Sequence, residues 1–365
     1  MFKIRNISDM EQELLALSKT DDIIAQPESR VDIQKKIGTD QVKRDVATLA
    51  RLLIKVYAGW PFHNEIVKRK VLKKLLSIYN NAHDMTPADL FNELKEVVEF
   101  IPDGHMYLQF YKDLAKPNSE RKYKNVGKNL ANSDTLVTEL RLDNIAVIAF
   151  PKMYRDDSVG EQLLAFKESL DKSSALIVDL RGNRGGVSIY SDALAKYLYG
   201  GDIRNEKRTF VRNNPDATRF LPMAFPDAWW GKVKGNGDPL FCGEEPLVKF
   251  DTGKGYNKPV YILTDGQTAS GSEMFLLRMM HHPLVKVVGD NSAGALVYSN
   301  VGRAILPSSN IAVGLGLSYH ELEIDKFELR GYEPDIPCKD GQDAFEVAIG
   351  DLCHNMVRNM GGIEK

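Results

Sequence analysis

Three short, nearly continuous apolar runs constrain this chain more than any other feature: ALIVDL at 175–180, VYILT at 260–264 and VKVV at 285–288. A strand of that composition is buried on both faces, and both faces are covered when strands run mostly parallel with helices packed on either side. The first two runs each lead into a segment of helical texture, which is the alternation such a sheet requires. Upstream, TLVTELRL, a turn at Asp143 and Asn144, and IAVIAF read as a hairpin, followed by a helix around 161–170. The predicted fold class is α/β (α+β).

Residues 39–100 have a different period. Val42, Val46, Leu49, Leu52, Leu53 and Val56 recur at helical spacing, as do Leu72, Leu75, Leu76 and Tyr79, which predicts an N-terminal helical bundle. Its last helix has Thr86 as cap, Pro87 in the first turn and Asp89 near the positive end of the dipole, and ends near Phe100. IPDGH then breaks the helix before MYLQFY, an aromatic, strand-like run. We expect a helical domain over 1–104 and a second domain over 105–365. Within the latter, 200–258 is rich in Gly, Pro, Asn and aromatics (FLPMAFPDAWW), too long for an ordinary connection, and reads as an insertion or lid.

At 365 residues with 43% hydrophobic and 27% charged side chains, two packed soluble units, or one large domain with an appended bundle, are expected. A formal net charge of -2 and a pI near 6.4 provide no global attraction for nucleic acid or anionic lipid, and nucleic acid is not expected as a partner. The start, MFKIRNISDMEQELL, lacks the apolar run of a signal peptide, and no stretch reaches the roughly 18 apolar residues of a membrane span. The expected location is cytoplasmic, or secreted or periplasmic if a leader was trimmed. Cys242, Cys338 and Cys353 are odd in number without CxxC spacing, which argues against a disulfide framework and against zinc. HExxH, GxxxxGK[ST] and GxGxxG are all absent, so neither a metal nor an organic cofactor is expected.

Two glycine-rich segments carry the chemistry. DLRGNRGG (179–186) stands at the carboxyl end of a predicted buried strand, where open α/β sheets hold ligands, and its glycines can turn amides outward. The same residues also read as a tight turn with an Asp179–Arg181 ion pair. In TDGQTASGSEMF (264–275), Ser270 precedes a helix, so it stands where unpaired amides and the dipole favour negative charge. With Glu273 three residues on, Ser270 equally reads as a capping box.

A nucleophilic serine needs a base. Among seven histidines, His281 and His282 fall late in the helix that Ser270 starts, and His63, His83 and His354 in helical regions. That leaves His105, in the turn PDGH, and His320, in SYHELE, a strand-like segment of the same half as Ser270.

Together DGH (103–105), LIVDLRGNRGG (176–186), YILTDGQTASGSE (261–273) and GYEPDI (331–336), in that order, resemble the C-terminal processing and tricorn-core serine peptidases, a family that also includes retinoid-binding-like proteins. The resemblance implies a crotonase/ClpP-like ββα core. Members with a Ser/Lys dyad carry the lysine in a turn where this chain has Ala295, with Lys286 lying earlier, so the tricorn-like version fits better. It implies Ser270 as nucleophile, His105 as base and Glu328, just before GYEPDI, as the supporting acid. The oxyanion hole would combine Gly271 with Gly185 or Gly186.

The chain departs from the tricorn pattern at two positions. Gly104 replaces the serine before the histidine, leaving a relay to Ser272 or a water, and Gly271 replaces an acidic residue, so no preference for basic substrates carries over. The interval from His105 to Asp179 has no room for a PDZ domain of roughly 80–90 residues, as in the nisin-resistance type of peptidase. The expected partner is a peptide or unfolded protein, and homo-oligomerisation is left open. Two rivals remain on the same fold: a non-catalytic binding protein for apolar ligands, and acyl-CoA chemistry with an enolate held by two amides.

Overall fold

Strand pairing, rather than chain order, divides this protein. A computed structural model describes residues 6–24, 32–110, 135–153, 157–187, 189–200, 208–224, 240–244, 255–280, 282–322 and 327–361. One unit gathers Met1–Pro117, Lys207–Glu245 and Val297–Leu322, and the other Asn118–Glu206, Pro246–Leu296 and Glu323–Lys365. This division is not the expected one at residue 104, because strands returning from late in the chain join the N-terminal helices.

The first unit holds α1 (Ile7–Leu17), α2 (Thr39–Arg51), α3 (Glu65–Asn80) and α4 (Pro87–Glu99). The predicted apolar face of α2 is buried from Val42 to Leu49, and it continues through a π-helical turn at Leu52–Val56. In α4 the Thr86 hydroxyl accepts from the Asp89 amide at 3.1 Å, as the sequence predicts, and satisfies one otherwise open donor. The strands are β1 (Tyr107–Phe110), β5 (Arg208–Arg212), β6 (Leu240–Glu244), β9 (Tyr298–Ile305) and β10 (Ile311–His320). All pair antiparallel: β10 lies between β9 and the β1 and β5 ends, and β6 continues from β5. The Asp45 carboxylate of α2 accepts from the Ser308 and Ser309 amides, each at 2.8 Å, and so closes the β9–β10 turn.

The expected insertion is therefore in part sheet. Residues 208–212 and 240–244 pair as β5 and β6, while most of FLPMAFPDAWW, from 225 onward, lies outside the described residues. A short helical turn, α7 (Leu221–Ala224), belongs to the same stretch.

The second unit is the predicted mostly parallel sheet. Its order is β11 (Ile336–Pro337), β8 (Val285–Gly289), β7 (Val260–Thr264), β4 (Ala175–Asp179), β3 (Ile145–Ala149) and β2 (Val137–Leu140), with only β2 antiparallel. Asn144 takes φ 63° in the β2–β3 turn, a left-handed conformation asparagine tolerates. Every residue of β3, β4 and β7 is buried. Ala146, Ile148, Leu176, Val178 and Ile262 face α5 (Asp157–Lys172), α6 (Ile189–Tyr199) and α8 (Gly271–Met279). Val147, Ile177, Tyr261 and Leu263 face α9 (Ala344–Gly361). Continuous apolar runs are what two covered faces demand.

Candidate active site

Loops leaving the carboxyl ends of β4, β7 and β8 meet in the second unit. At the first, Arg181 donates to Asp179 at 2.7 and 3.0 Å and to Asp343 at 2.9 Å. Burial opposes the charge of Arg181, but the two carboxylates outweigh it and its pKa is raised. This pair therefore locks the loop, as the plainer sequence reading has it. Asp265 after β7 accepts from the Gly182 amide at 2.9 Å, and Thr268 donates through Oγ1 to Leu180 O at 3.0 Å.

Asn183 joins the first loop to the second. Fully buried, it donates through Nδ2 to Phe150 O at 2.7 Å and accepts the Gly185 amide on Oδ1 at 2.9 Å, while its carbonyl accepts from the Ala269 amide at 3.0 Å. The loop 183–186 is thereby laid against 269–271. A Cβ on Gly186 would stand 2.1 Å from Met153 O, and one on Gly271 would stand 2.6 Å from Gly186 O and 3.2 Å from Gly186 N. Both positions exclude side chains, and Gly186 also has φ 131°. Among the described residues, the amides of Gly186 and Gly271 have no acceptor, whereas that of Gly185 is engaged.

Ser270 stands beside these two amides with φ 54° and ψ -115°, a conformation costing on the order of 1–3 kcal/mol in a residue with a Cβ. Its hydroxyl makes no capping bond to α8, so the predicted capping box is only half present. The other half is Glu273, whose Oε2 accepts from the Ser270 amide at 2.9 Å. Ser272 is fully buried, and its hydroxyl donates to Asn183 O at 3.1 Å. Ser272 therefore ties α8 to the glycine loop, and the expected relay through it loses its free proton.

Beyond β8, residues 292–296 lie on the turn 327–332. Gly294 O accepts from the Leu329 amide at 2.7 Å, and Ser292 Oγ accepts from the Tyr332 amide at 2.6 Å. Glu328 is buried and accepts from the Leu296 amide at 3.2 Å. In GYEPDI, Asp335 accepts from Val287 N at 2.7 Å and the motif runs on into β11. Ala295 is buried in this loop, and Lys286 donates to Asp351 at 2.6 Å, so the lysine that a dyad would use is committed to α9.

His105 belongs to the first unit, two residues before the start of β1. Its amide donates to Asp103 Oδ1 at 2.7 Å, and its ring is hydrogen-bonded to the Tyr298 main chain. Nδ1 is buried and has no partner among the described residues. Burial pushes the imidazole pKa down to about 4, against a smaller opposing effect of the Tyr298 bond. His320 belongs to this unit as well, and not to that of Ser270 as expected, because β10 pairs with β1 and β5. It is buried, with Nδ1 3.0 Å from Thr209 Oγ1.

The sequence signalled Ser270 and the glycines. It carried no signal for Asn183, Asp265 or Ser292, whose roles depend on which loops meet. Among the described residues, no three His, Cys, Asp or Glu side chains converge as a metal site, and no helix is long and apolar enough to cross a membrane.

The mixed α/β fold thus places a strained serine at a helix start beside two glycine amides that have no acceptor among the described residues. The sequence profile of peptidase family S41 matches residues 144–338, just over half of the chain, and the chain belongs to that family. It is 24% identical over 226 residues to the nisin-resistance protein of Lactococcus lactis subsp. lactis. That match spans 61% of this chain and 61% of the length of that relative. Among solved structures, a peptidase-like protein of Parabacteroides merdae has TM-score 0.56 at 21% identity, covering 83% of this chain and 93% of its own. Mature CPAF in complex with lactacystin has TM-score 0.55 at 13% identity, covering 82% and 94%. These likenesses show a common fold.

Proposed function

We propose that this protein is a serine peptidase that hydrolyses peptide bonds through an acyl-enzyme. Ser270 Oγ attacks the substrate carbonyl as His105 takes its proton. The tetrahedral oxyanion is held by the Gly186 and Gly271 amides, the proton passes to the leaving amine, and water repeats the sequence to free the acid. Glu328 is the supporting acid.

One observation carries this reading: Ser270 is held in a strained conformation at the start of α8, beside two amides that have no acceptor among the described residues. Strain of that kind persists only where the surroundings over-determine it, and an oxyanion would satisfy both donors. Losing one such donor typically costs about 3 kcal/mol of barrier. Of Gly185 and Gly186, the assignment goes to Gly186, since the Gly185 amide already serves Asn183. The base is assigned to His105 on its own surroundings, a neutral ring with a buried, unpartnered nitrogen.

A second reading, a binding protein for apolar ligands, is favoured by a cavity of about 210 Å³ lined by Ile148, Leu163, Leu170, Tyr190, Leu194 and Tyr197. Labelling with a fluorophosphonate separates the two. The peptidase reading expects stoichiometric labelling that Ser270→Ala abolishes; an unlabelled native protein, or equal labelling of the variant, sinks it.

A further inference from the structure

The Glu273 carboxylate is 3% exposed and accepts four hydrogen bonds, two on each oxygen. Oε1 accepts from Ser292 Oγ at 2.6 Å and the Gly294 amide at 2.8 Å, and Oε2 from the Ser270 and Ala295 amides, each at 2.9 Å. A carboxylate offers about four lone-pair positions, and here all are used. That is far more than a helix cap needs, since one bond to the Ser270 amide would complete it.

The donors come from two places. One is the backbone of the proposed nucleophile. The others belong to the loop after β8, whose next amide, Leu296, donates to Glu328, and whose Gly294 carbonyl accepts from Leu329. Three successive amides, 294 to 296, are thus divided between Glu273 and Glu328. Ser292 extends the connection, because its hydroxyl donates to Glu273 and accepts from the Tyr332 amide.

We infer that Glu273 is a positioning residue: it holds Ser270 in its strained conformation and fixes the nucleophile against the loop that carries the Glu328 turn. This rests on the reading of Ser270 as nucleophile. Its chemistry requires a carboxylate, because an amide of equal size would set an NH₂ group against backbone N–H donors on one side. Aspartate is one carbon too short to reach both sets.

The test is Glu273→Gln, with Ser292→Ala as a gentler variant that removes one of the four donors. Displacement of a reacting atom by about 1 Å can cost on the order of 100-fold. The expected result is therefore a fall in kcat of about that size in Glu273→Gln and a smaller fall in Ser292→Ala, each with KM within about threefold of the parent. The acid limb of the pH profile should not move, since proton acceptance by His105 is untouched. Parent-like kcat in Glu273→Gln overturns the inference. So does a Glu273→Gln protein that fails to fold while folded Ser292→Ala keeps full kcat, because the carboxylate would then be structural only. Failure of the underlying reading has a different signature, a Ser270→Ala protein that is still labelled and active.

Discussion

Ser272 and Ser270 are separated by one glycine and have opposite surroundings. The Ser270 hydroxyl makes no cap to α8, while that of Ser272 is sealed against Asn183 O. Removing the second should cost stability rather than chemistry. Ser272→Ala is expected to lower unfolding free energy by about 1 kcal/mol, measured by urea titration, while leaving the fluorophosphonate labelling rate near that of the parent. A loss of labelling in a fully folded Ser272→Ala protein would restore the relay. TASGSE marks Ser270 as the helix start but does not show which of the two hydroxyls is engaged. Their difference comes from the glycine loop that Asn183 begins, 89 residues before Ser272 in the chain.

At the scale of elements, β10 accounts for both candidate bases. Its pairing with β1 fixes the chain just after His105, and its own last residue is His320, which is held by Thr209 on β5. The free Nδ1 of His105 and the engaged Nδ1 of His320 separate them. His105→Ala should abolish turnover, and His320→Ala should retain it provided β10 still pairs. A base must be unprotonated, and burial holds the His105 pKa down to about 4. kcat/KM should therefore persist as pH falls below the ordinary histidine range and decline only near pH 4, within the range where circular dichroism shows the fold intact. An acid limb centred near pH 6.5 would count against His105.

At the scale of the whole molecule, His63, His105 and Asp45 are buried groups that link stability to pH. Burial pushes His63 and His105 down to about 4, so as pH falls below 6.5 the unfolded chain takes protons that the folded one refuses. Their neutral burial is therefore without penalty above 6.5, and stability is lost between that value and about 4, by up to roughly 3 kcal/mol for each. Asp45 acts in the opposite sense. Burial raises it to about 6 despite its bonds to Ser308 and Ser309, so its contribution is fully present below its ordinary 3.8 and lost as pH rises through about 6. Two histidines outweigh one aspartate, and the melting temperature should be lower at pH 5 than at pH 7. Replacing His63 by Phe should flatten that dependence; an unchanged slope would remove His63 from the account.

The local pattern determined much of this protein. Runs such as ALIVDL and VYILT, too short for a buried helix and each leading into a helical segment, fit strands of a mostly parallel sheet with both faces covered, and Thr86-Pro87 starts a helix by chemistry within four residues. Ser270 and the glycines of DLRGNRGG were legible for the same reason, since a helix start and a tight turn are local. The division into units was not, because β5, β6, β9 and β10 acquire their place from partners distant in sequence. Nor were the roles of Asn183 and Glu273: a buried polar side chain must satisfy its hydrogen bonds, and which donors and acceptors surround it is decided only when the loops of β4, β7 and β8 come together.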